Sequence, residues 1–210
     1  MEQNKYGAAI TYEYEQNLYI NMTNQCCNSC DFCLRNNSAG SLYADNLWYQ
    51  NGEPTKEEIW EELCRYDLNR FHELVFCGYG EPTFRWDDIA WVCDQLRDAG
   101  PVPPIRMDTN GHGNVICGRD ITPELKGRID VVSISLNWSD QAGYDKIVHP
   151  DFPQAFQAMQ DFTRRAVAAG VKVVMTVVDC MDEAEIARCR KLCQSLGATF
   201  RVRVYSTDWQ

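Results

Sequence analysis

The sequence has no run of apolar residues that approaches the roughly 20 needed for a membrane-spanning helix. Its first residues, Met-Glu-Gln-Asn-Lys, lead into alternating polar and aromatic residues and do not form a secretion signal. No segment rich in proline, glycine or serine divides the 210 residues. We therefore expect a cytoplasmic protein with no membrane partner, folded as a single domain over residues 1–210.

Basic residues are scarce relative to acidic ones. The chain has 20 Lys and Arg against 30 Asp and Glu, which gives a formal net charge of −10. Because binding to phosphates depends on a basic surface that releases counterions, this balance argues against a nucleic-acid partner. A local basic pocket remains compatible with the overall charge.

Cysteine, in contrast, is abundant. The chain contains 11 cysteines, an odd number that cannot all be paired in disulfides. Without a secretion signal, the thiols are expected to be reduced, because disulfide frameworks belong to oxidising compartments. So many reduced thiols favour metal binding.

Three cysteines share one short stretch, in which Cys26, Cys30 and Cys33 follow the pattern C-x-x-x-C-x-x-C and Phe32 precedes the last thiol. Thiolates at this spacing can bind zinc or an iron–sulfur cluster. A closed zinc site needs four ligands, usually from two C-x-x-C pairs. Three cysteines in one loop leave one iron of a four-iron cluster without a protein ligand, and this open iron is a place for chemistry. Cys27 is expected to be a bystander unless it replaces Cys26.

This loop resembles that of the radical S-adenosylmethionine (SAM) superfamily, in which three cysteines bind a [4Fe-4S] cluster and SAM occupies the fourth iron. Residues 76–83, Phe-Cys-Gly-Tyr-Gly-Glu-Pro-Thr, are similar to the superfamily's glycine-rich Glu-Pro motif in its G-x-G-E-P variant. More narrowly, the chain resembles the TatD-associated radical SAM proteins at residues 21–26, 77–83, 108–114 and 132–137. The resemblance extends over most of the chain and implies both cofactors, but it does not imply a substrate.

Strands and helices are predicted to alternate with short connections, which is typical of a parallel sheet with right-handed crossovers. The predicted core strands are 18–23, 73–77, 105–109, 130–137, 171–178 and 199–205, with an edge strand at 8–15. The predicted helices are 55–68, 86–98, 123–126, 152–169 and 183–196, and residues 36–54 are predicted to form an extended loop over the site. The fold class is therefore α/β. We predict an open (β/α)6 TIM-like barrel of the radical SAM type, with an extra N-terminal edge strand.

One face of several predicted strands is polar. A closed barrel of eight strands is packed internally with bulky aliphatic residues, so this pattern predicts a polar cavity wide enough for SAM and a substrate. The alternative is that these polar faces lie on solvent-exposed edges of the sheet. The polar positions are Asn21, Thr23, Arg106, Asp108, Ser133, Ser135, Asn137, Arg201, Arg203 and Tyr205.

The resemblance also implies roles for individual residues. The turn at Gly78, Tyr79, Gly80 and Glu81 would hold the methionine end of SAM, with the Tyr79 and Gly80 backbone and the Glu81 side chain facing the ammonium. Glycines at the end of a strand allow such a close backbone approach, although a plain turn is the alternative. Phe32 in the cysteine loop is assigned to the same cofactor-binding set.

The remaining candidates follow later strands. Asp108 and Asn110 lie in a segment similar to the Asp-Thr-Asn-Gly of glycyl-radical activating enzymes, where the aspartate lies close to SAM. Ser135 and Asn137 would approach the ribose or the carboxylate, although the family often has aspartate at the position of Asn137. Arg203 needs an anionic partner, which could be a carboxylate of SAM or of the substrate. The alternative for Arg203 is a salt bridge to Asp108 or Asp130.

His112, on a loop at the carboxyl face of the sheet, is a candidate proton-transfer group, with a surface loop residue as the alternative. The implied reaction is reductive cleavage of SAM to a 5′-deoxyadenosyl radical that abstracts hydrogen from an unidentified substrate. The electron would come from a reductant such as flavodoxin or ferredoxin. The substrate could be a peptide or protein, as for glycyl-radical-enzyme activases, or a small heterocycle, as for carboxy-deazaguanine synthases. The alternative from a different class is a non-catalytic iron–sulfur or zinc module.

Overall fold

A mostly parallel, seven-stranded sheet forms the centre of the computed structural model, which describes residues 5–33, 35, 41–42 and 45–204. The strands of these residues are β1 (Thr11–Tyr14), β2 (Asn17–Asn21), β3 (Ser41–Leu42), β4 (Asp45–Asn46), β5 (Leu74–Cys77), β6 (Ile105–Thr109), β7 (Val131–Ser135), β8 (Lys172–Val178) and β9 (Thr199–Arg203). The large sheet has the order β1-β2-β5-β6-β7-β8-β9, while β3 and β4 pair separately. Only β1 is antiparallel to its neighbour in the large sheet.

The helices of the described residues are α1 (Lys56–Leu63), α2 (Trp86–Ala99), α3 (Gly113–Ile116), α4 (Thr122–Leu125), α5 (Gln141–Val148), α6 (Ala155–Ala168) and α7 (Glu183–Ser195). Short 3-10 helices cover Leu68–Arg70 and Pro82–Arg85. The predicted capping box at the start of α1 is present: Thr55 accepts from the Glu58 amide, and the Glu58 side chain accepts from the Thr55 amide. This reciprocal pair satisfies two amides that the helix itself leaves unbonded.

The alternation of side chains along the strands separates an apolar face from a polar face. One register row runs from β2 to β8 through Ile20, Phe76, Met107, Val132 and Val173, all of which are buried. Neighbouring residues of the same strands point the other way, because side chains alternate in a strand. The apolar face packs against the helices, and the opposite face contains the polar residues described below.

The structure confirms the α/β class, the mostly parallel sheet and the N-terminal edge strand, which it shows to be antiparallel to β2. The sheet is not closed, since β1 and β9 are its end strands. Helix α1 ends at Leu63 and not at residue 68, and α6 begins at Ala155 and not at residue 152. Residues 36–40, 43–44 and 205 of the predicted loop and last strand lie outside the described residues.

Helix α5 was not predicted. Its sequence contains Gly143, and glycine lowers helix propensity by about 1 kcal/mol relative to alanine. In the structure, a Cβ at Gly143 would lie 1.8 Å from Nε1 of Trp138, so the helix can pass the indole ring only with a glycine here. Asp140 caps the helix by accepting from the Gly143 amide (2.9 Å).

No helix within the described residues is both long enough and apolar enough to cross a bilayer. The predicted cytoplasmic location and the single domain over residues 1–210 stay predictions.

Candidate functional site

The cysteine loop leaves the carboxyl end of β2 and is held on one side by the turn that follows β5. The Gly80 amide donates to the Thr23 carbonyl oxygen (2.9 Å), and the Glu81 amide donates to the Gln25 carbonyl oxygen (2.6 Å). Gly80 itself lies so close to the loop that a Cβ would be 2.1 Å from the Gln25 carbonyl oxygen. The glycine at position 80 is therefore required by contact between two protein backbones, a reason that the sequence alone does not reveal.

The other side of the cysteine loop is held by residues 147–151, at the end of α5. The Ser29 amide donates to the Val148 carbonyl oxygen and the Asp31 amide to the Ile147 carbonyl oxygen, both at 3.0 Å. In return, the Asp151 amide donates to the Cys27 carbonyl oxygen (2.9 Å). Sequence reasoning missed this support, because nothing in residues 147–151 indicates a partner more than 100 residues earlier in the chain.

Cys26, Cys30 and Cys33 are reduced cysteines and are partly exposed. Burial raises the pKa of Cys26 to about 11 and that of Cys30 to about 12, and interactions with one another contribute to both shifts. The three thiols are therefore close enough to influence each other's ionisation. Coordination to a cationic cluster would remove these protons, because metal ligation requires the thiolate.

Within the described residues, no three His, Cys, Asp or Glu side chains are grouped to hold a metal ion. A four-iron cluster binds each thiolate at a different iron, so its ligands are spaced more widely than ligands around one ion. The three cysteines of the loop would supply three of the four ligands that a four-iron cluster takes.

Glu81 is buried, with 2% of its surface exposed, and both of its carboxylate oxygens are hydrogen bonded. Oε1 accepts from the Thr83 amide (3.1 Å) and from the hydroxyls of Thr83 and Thr109 (both 2.6 Å), while Oε2 accepts from the Asn110 amide (2.6 Å). Burial raises the pKa of Glu81, and these donors oppose that shift. The side chain joins the loop after β5 to the loop after β6. Its contact with the ammonium of SAM stays a prediction.

His112 is fully buried, so it is not the surface residue that was the alternative in the sequence analysis. Its Nε2 lies 3.1 Å from the Ala155 carbonyl oxygen and 3.2 Å from the Tyr144 hydroxyl, and its Nδ1 lies 3.5 Å from the sulfur of Cys27. Because a carbonyl can only accept, we assign the proton to Nε2. Burial lowers the pKa of His112 to about 4, so the ring is neutral at pH 7. Its role in proton transfer stays a prediction.

Asn110 lies next to this group: its side-chain amide donates to the sulfur of Cys27 (3.3 Å), and its Oδ1 accepts from the His112 amide (2.9 Å). Cys27 thus contacts two residues of the loop after β6. These contacts are compatible with its predicted place outside the cluster ligands.

The polar face of the sheet continues from β6 to β9. The register aligns Asp108 with Ser133, Ser135 with Thr176, and Val178 with Arg203. Arg106 forms ion pairs with Asp108 and, at 2.9 Å, with Glu73. Asp130, the other partner suggested for Arg203, instead accepts from Arg97 (2.7 Å). Both carboxylates proposed as partners of Arg203 therefore form ion pairs with a different arginine.

Arg203 is exposed, yet burial among the surrounding protein lowers the pKa of its guanidinium. Asp108, three strands away, opposes this shift, and Tyr19, five strands away on β2, also interacts with Arg203. The polar cavity stays a prediction, and Arg201 and Arg203 lie on the exposed end strand β9.

Asn137 occupies a strained turn immediately after β7. Its φ is 60°, a conformation that is uncommon for residues other than glycine, and the Trp138 amide donates to the Leu136 carbonyl oxygen across it (2.7 Å). The side chain is 3% exposed, and its Oδ1 has no hydrogen-bond partner. A buried, unsatisfied carbonyl oxygen at the carboxyl end of the sheet is suited to accept a hydrogen bond from a ligand.

The other predicted residues have simpler surroundings. Gly78 packs against the end of β2, because a Cβ there would lie 2.9 Å from the Thr23 carbonyl oxygen. The buried ring of Tyr79 packs with Leu47 and Tyr12. Phe32 and Ser135 are partly exposed.

Sequence reasoning missed Tyr12, whose hydroxyl lies 3.6 Å from the sulfur of Cys77 on the polar face. Its ring stacks on that of Tyr19, with centroids 5.0 Å apart. The only signal for it is the alternation of β1, which places Tyr12 opposite Tyr19 once the register of the hairpin is known.

Gly80→Ala is predicted to prevent normal assembly of the cysteine loop, because the added methyl group would overlap the Gln25 carbonyl oxygen. We expect the free energy of unfolding to fall by about 3 kcal/mol and the iron content after anaerobic reconstitution to drop strongly. Gly127→Ala is the control: it has open space around it, so that only the backbone strain at its φ of 84° opposes the methyl group, and it should cost only about 1 kcal/mol. Equal effects of the two substitutions would contradict the backbone contact.

His112 is predicted to make the protein less stable at acidic pH. The unfolded histidine binds a proton near pH 6.5 and the folded one only near pH 4, so stability falls as the pH drops between these values. The total decrease in the free energy of unfolding should be about 3 kcal/mol. Urea unfolding of the cluster-free, reduced protein should show that His112→Gln removes this part of the pH dependence, whereas replacing the exposed His72 with Gln retains it. An unchanged pH dependence in His112→Gln would count against a buried neutral ring.

Solved structures share this architecture. SuiB of Streptococcus suis bound to its precursor peptide SuiA matches 98% of this chain and 42% of its own, with 16% identity and a TM-score of 0.66. Methylornithine synthase PylB matches 90% of this chain and 53% of its own, with 17% identity and a TM-score of 0.61. Native anSMEcpe with bound AdoMet and Cp18Cys peptide matches 91% of this chain and 50% of its own, with 14% identity and a TM-score of 0.62.

This chain therefore spans about half or less of the length of these structural neighbours. No curated protein matches its sequence. The narrower resemblance to the TatD-associated proteins stays a prediction. The family model described as Radical SAM superfamily matches residues 20–193, which include the cysteine loop, the turn after β5 and every strand from β5 to β8, and the chain belongs to that superfamily.

Proposed function

We propose that this chain is a radical SAM enzyme in which Cys26, Cys30 and Cys33 hold a [4Fe-4S] cluster. The observation that carries the proposal is the set of three partly exposed thiols on one loop, supported from both sides by backbone hydrogen bonds. This donor set fits the cluster, since three thiolates leave one iron free. Membership of the superfamily and the AdoMet named in the anSMEcpe structure support SAM as the second cofactor.

The residues near the carboxyl ends of the strands fit SAM as well. The unsatisfied Oδ1 of Asn137 offers an acceptor. We assign to SAM the cofactor-binding residues of the sequence analysis from Phe32 to Asn137, namely Phe32, Gly78, Tyr79, Gly80, Glu81, Asp108, Asn110, Ser135 and Asn137. For Arg203 we take the other role that the sequence analysis gave it, a cation for a carboxylate of the substrate. When bound, the cluster and SAM supply an electron and a 5′-deoxyadenosyl radical for hydrogen abstraction.

The protein's own contribution is positioning. Gly80 and Glu81 fix the start of the cysteine loop, while residues 147–151 fix its middle. Glu81 also aligns the loops after β5 and β6, so that Asn110 is held beside Cys27. His112 stays neutral in this group and remains the candidate for proton transfer. The electron donor is proposed to be a protein such as flavodoxin or ferredoxin.

Two of the three neighbours described above favour a peptide or protein substrate, while the third, methylornithine synthase, is named for a small-molecule product. The SuiB structure contains the precursor peptide SuiA, and the anSMEcpe structure contains the Cp18Cys peptide. These facts concern the neighbours, and for this chain they favour a peptide without excluding the alternatives of a carboxy-deazaguanine synthase type or a non-catalytic iron–sulfur or zinc module.

Replacing Cys26, Cys30 or Cys33 with Ala, one at a time, is predicted to abolish cluster binding and SAM cleavage. Iron content after anaerobic reconstitution and 5′-deoxyadenosine formed with dithionite are the measurements. Cys64→Ala, at an exposed thiol outside the loop, and Cys27→Ala should retain the cluster. Full iron content in Cys26→Ala would overturn the ligand assignment. A wild-type protein that binds iron but forms no deoxyadenosine would be a binding module.

Asn137→Ala is predicted to weaken SAM binding about fivefold to tenfold, the effect of losing one hydrogen bond of about 1 kcal/mol. Asn137→Gly should weaken SAM binding equally, but it should stabilise the fold because glycine tolerates the positive φ. Isothermal titration of the reconstituted protein with SAM tests this pair. Unchanged SAM affinity in both variants would remove Asn137 from the binding site.

A further inference from the structure

The end strand β9 has one edge that no described strand covers. It pairs in parallel with β8 through five residues, from Val174 opposite Thr199 to Val178 opposite Arg203. The Arg203 carbonyl oxygen accepts from the Asp179 amide (3.0 Å), which continues this ladder. Because backbone groups alternate in direction along a strand, the amide and carbonyl of Val202 point away from β8. Within the described residues, no strand pairs with them.

Natural proteins usually protect such an edge with a proline, a bulge or a covering segment. Residues 199–204, Thr-Phe-Arg-Val-Arg-Val, contain no proline and alternate regularly between two faces. Thr199 and residues 201–204 are exposed, with Val202 at 37% and Val204 at 81%, which places two large apolar side chains in solvent. The strand β9 therefore combines backbone groups that point away from the sheet with an exposed apolar face, the two features of a strand that binds an extended partner.

The polar face of β9 carries two arginines, Arg201 and Arg203. Within the described residues, neither Arg201 nor Arg203 forms an ion pair, and the carboxylate of Asp108 is already paired with Arg106. This patch is basic in a chain with a formal net charge of −10. A partner that lies along β9 would satisfy it with acidic side chains spaced two residues apart, the repeat of one strand face.

A second copy of this chain does not fit the edge. Pairing β9 with another β9 would place arginines beside arginines, and like charges on neighbouring strands are destabilising. An acidic partner would instead gain cross-strand pairs with Arg201 and Arg203.

We propose that β9 binds an extended acidic peptide, which joins the sheet as an additional strand and places alternate carboxylates beside Arg201 and Arg203. Only one part of this inference rests on the proposed function, namely that the bound peptide is the enzyme's substrate. The docking itself requires neither cluster nor SAM. Main-chain hydrogen bonds to the edge supply affinity in this mode of recognition, and the arginines supply specificity.

Three fluorescein-labelled peptides of equal length test the proposal by anisotropy with the reconstituted protein, with and without SAM. One peptide alternates Glu and Val, the second alternates Lys and Val, and the third has the composition of the first but groups its Glu residues together. The alternating Glu peptide should bind about tenfold more tightly than either of the others. Equal affinity of all three peptides, or no binding of any, would overturn the proposal.

Two pairs of variants locate the binding. Val202→Pro removes the amide that points away from β8 and should weaken binding of the alternating Glu peptide about tenfold, whereas Val202→Ala should change it less than about twofold. Arg201→Glu should reverse the preference between Glu and Lys peptides. Arg190→Glu makes the same change in net charge, but Arg190 lies over the Phe200 ring on the opposite face of β9 (4.7 Å), so the preference should be retained.

Reversal by Arg190→Glu as well, or by neither variant, would show that β9 is not the docking edge. Arg201→Glu keeps the test decisive if Val202→Pro fails to fold, because Arg201 is exposed and forms no ion pair among the described residues. Deoxyadenosine formation, measured separately, distinguishes the two proposals. SAM cleavage without selective peptide binding overturns only the docking edge, and peptide binding without SAM cleavage overturns only the enzyme assignment.

Discussion

The close contact between the turn after β5 and the start of the cysteine loop is the constraint on which the site depends. Gly80 brings two backbones together at a distance that no side chain permits, and the amides of Gly80 and Glu81 hold the loop there. Residues 147–151 support the loop from the opposite side. A loop of three thiols has little apolar surface with which to order itself, so its shape is imposed by these neighbours.

The two faces of the sheet have different roles. The apolar row through Phe76 and Met107 anchors the sheet to the helices, which makes it a rigid platform. The polar face is then free to carry charges such as the Arg106 and Asp108 pair, which would destabilise a packed interior. The rigid face allows the functional groups to be positioned on elements that do not need to reorganise.

Much of this could be predicted from the sequence. The strand at 105–109 was predicted with its exact bounds, and the alternation of polar and apolar residues indicated which face would carry Asp108 and Ser135. What could not be predicted depends on contacts between distant residues. Helix α5 was not predicted because its sequence contains Gly143. The glycine is needed there because a side chain would overlap the ring of Trp138. The burial of His112 follows from packing against Tyr144 and α6, which no local pattern shows.

The contact between Trp138 and Gly143 has a further consequence. Trp138 follows the strained Asn137, and Gly143 lies in the helix whose last turn leads to the segment beside the cysteines. This single contact therefore fixes the distance between the turn after β7 and helix α5. In evolution these two positions should change together or not at all, since a bulkier residue at one requires a smaller residue at the other.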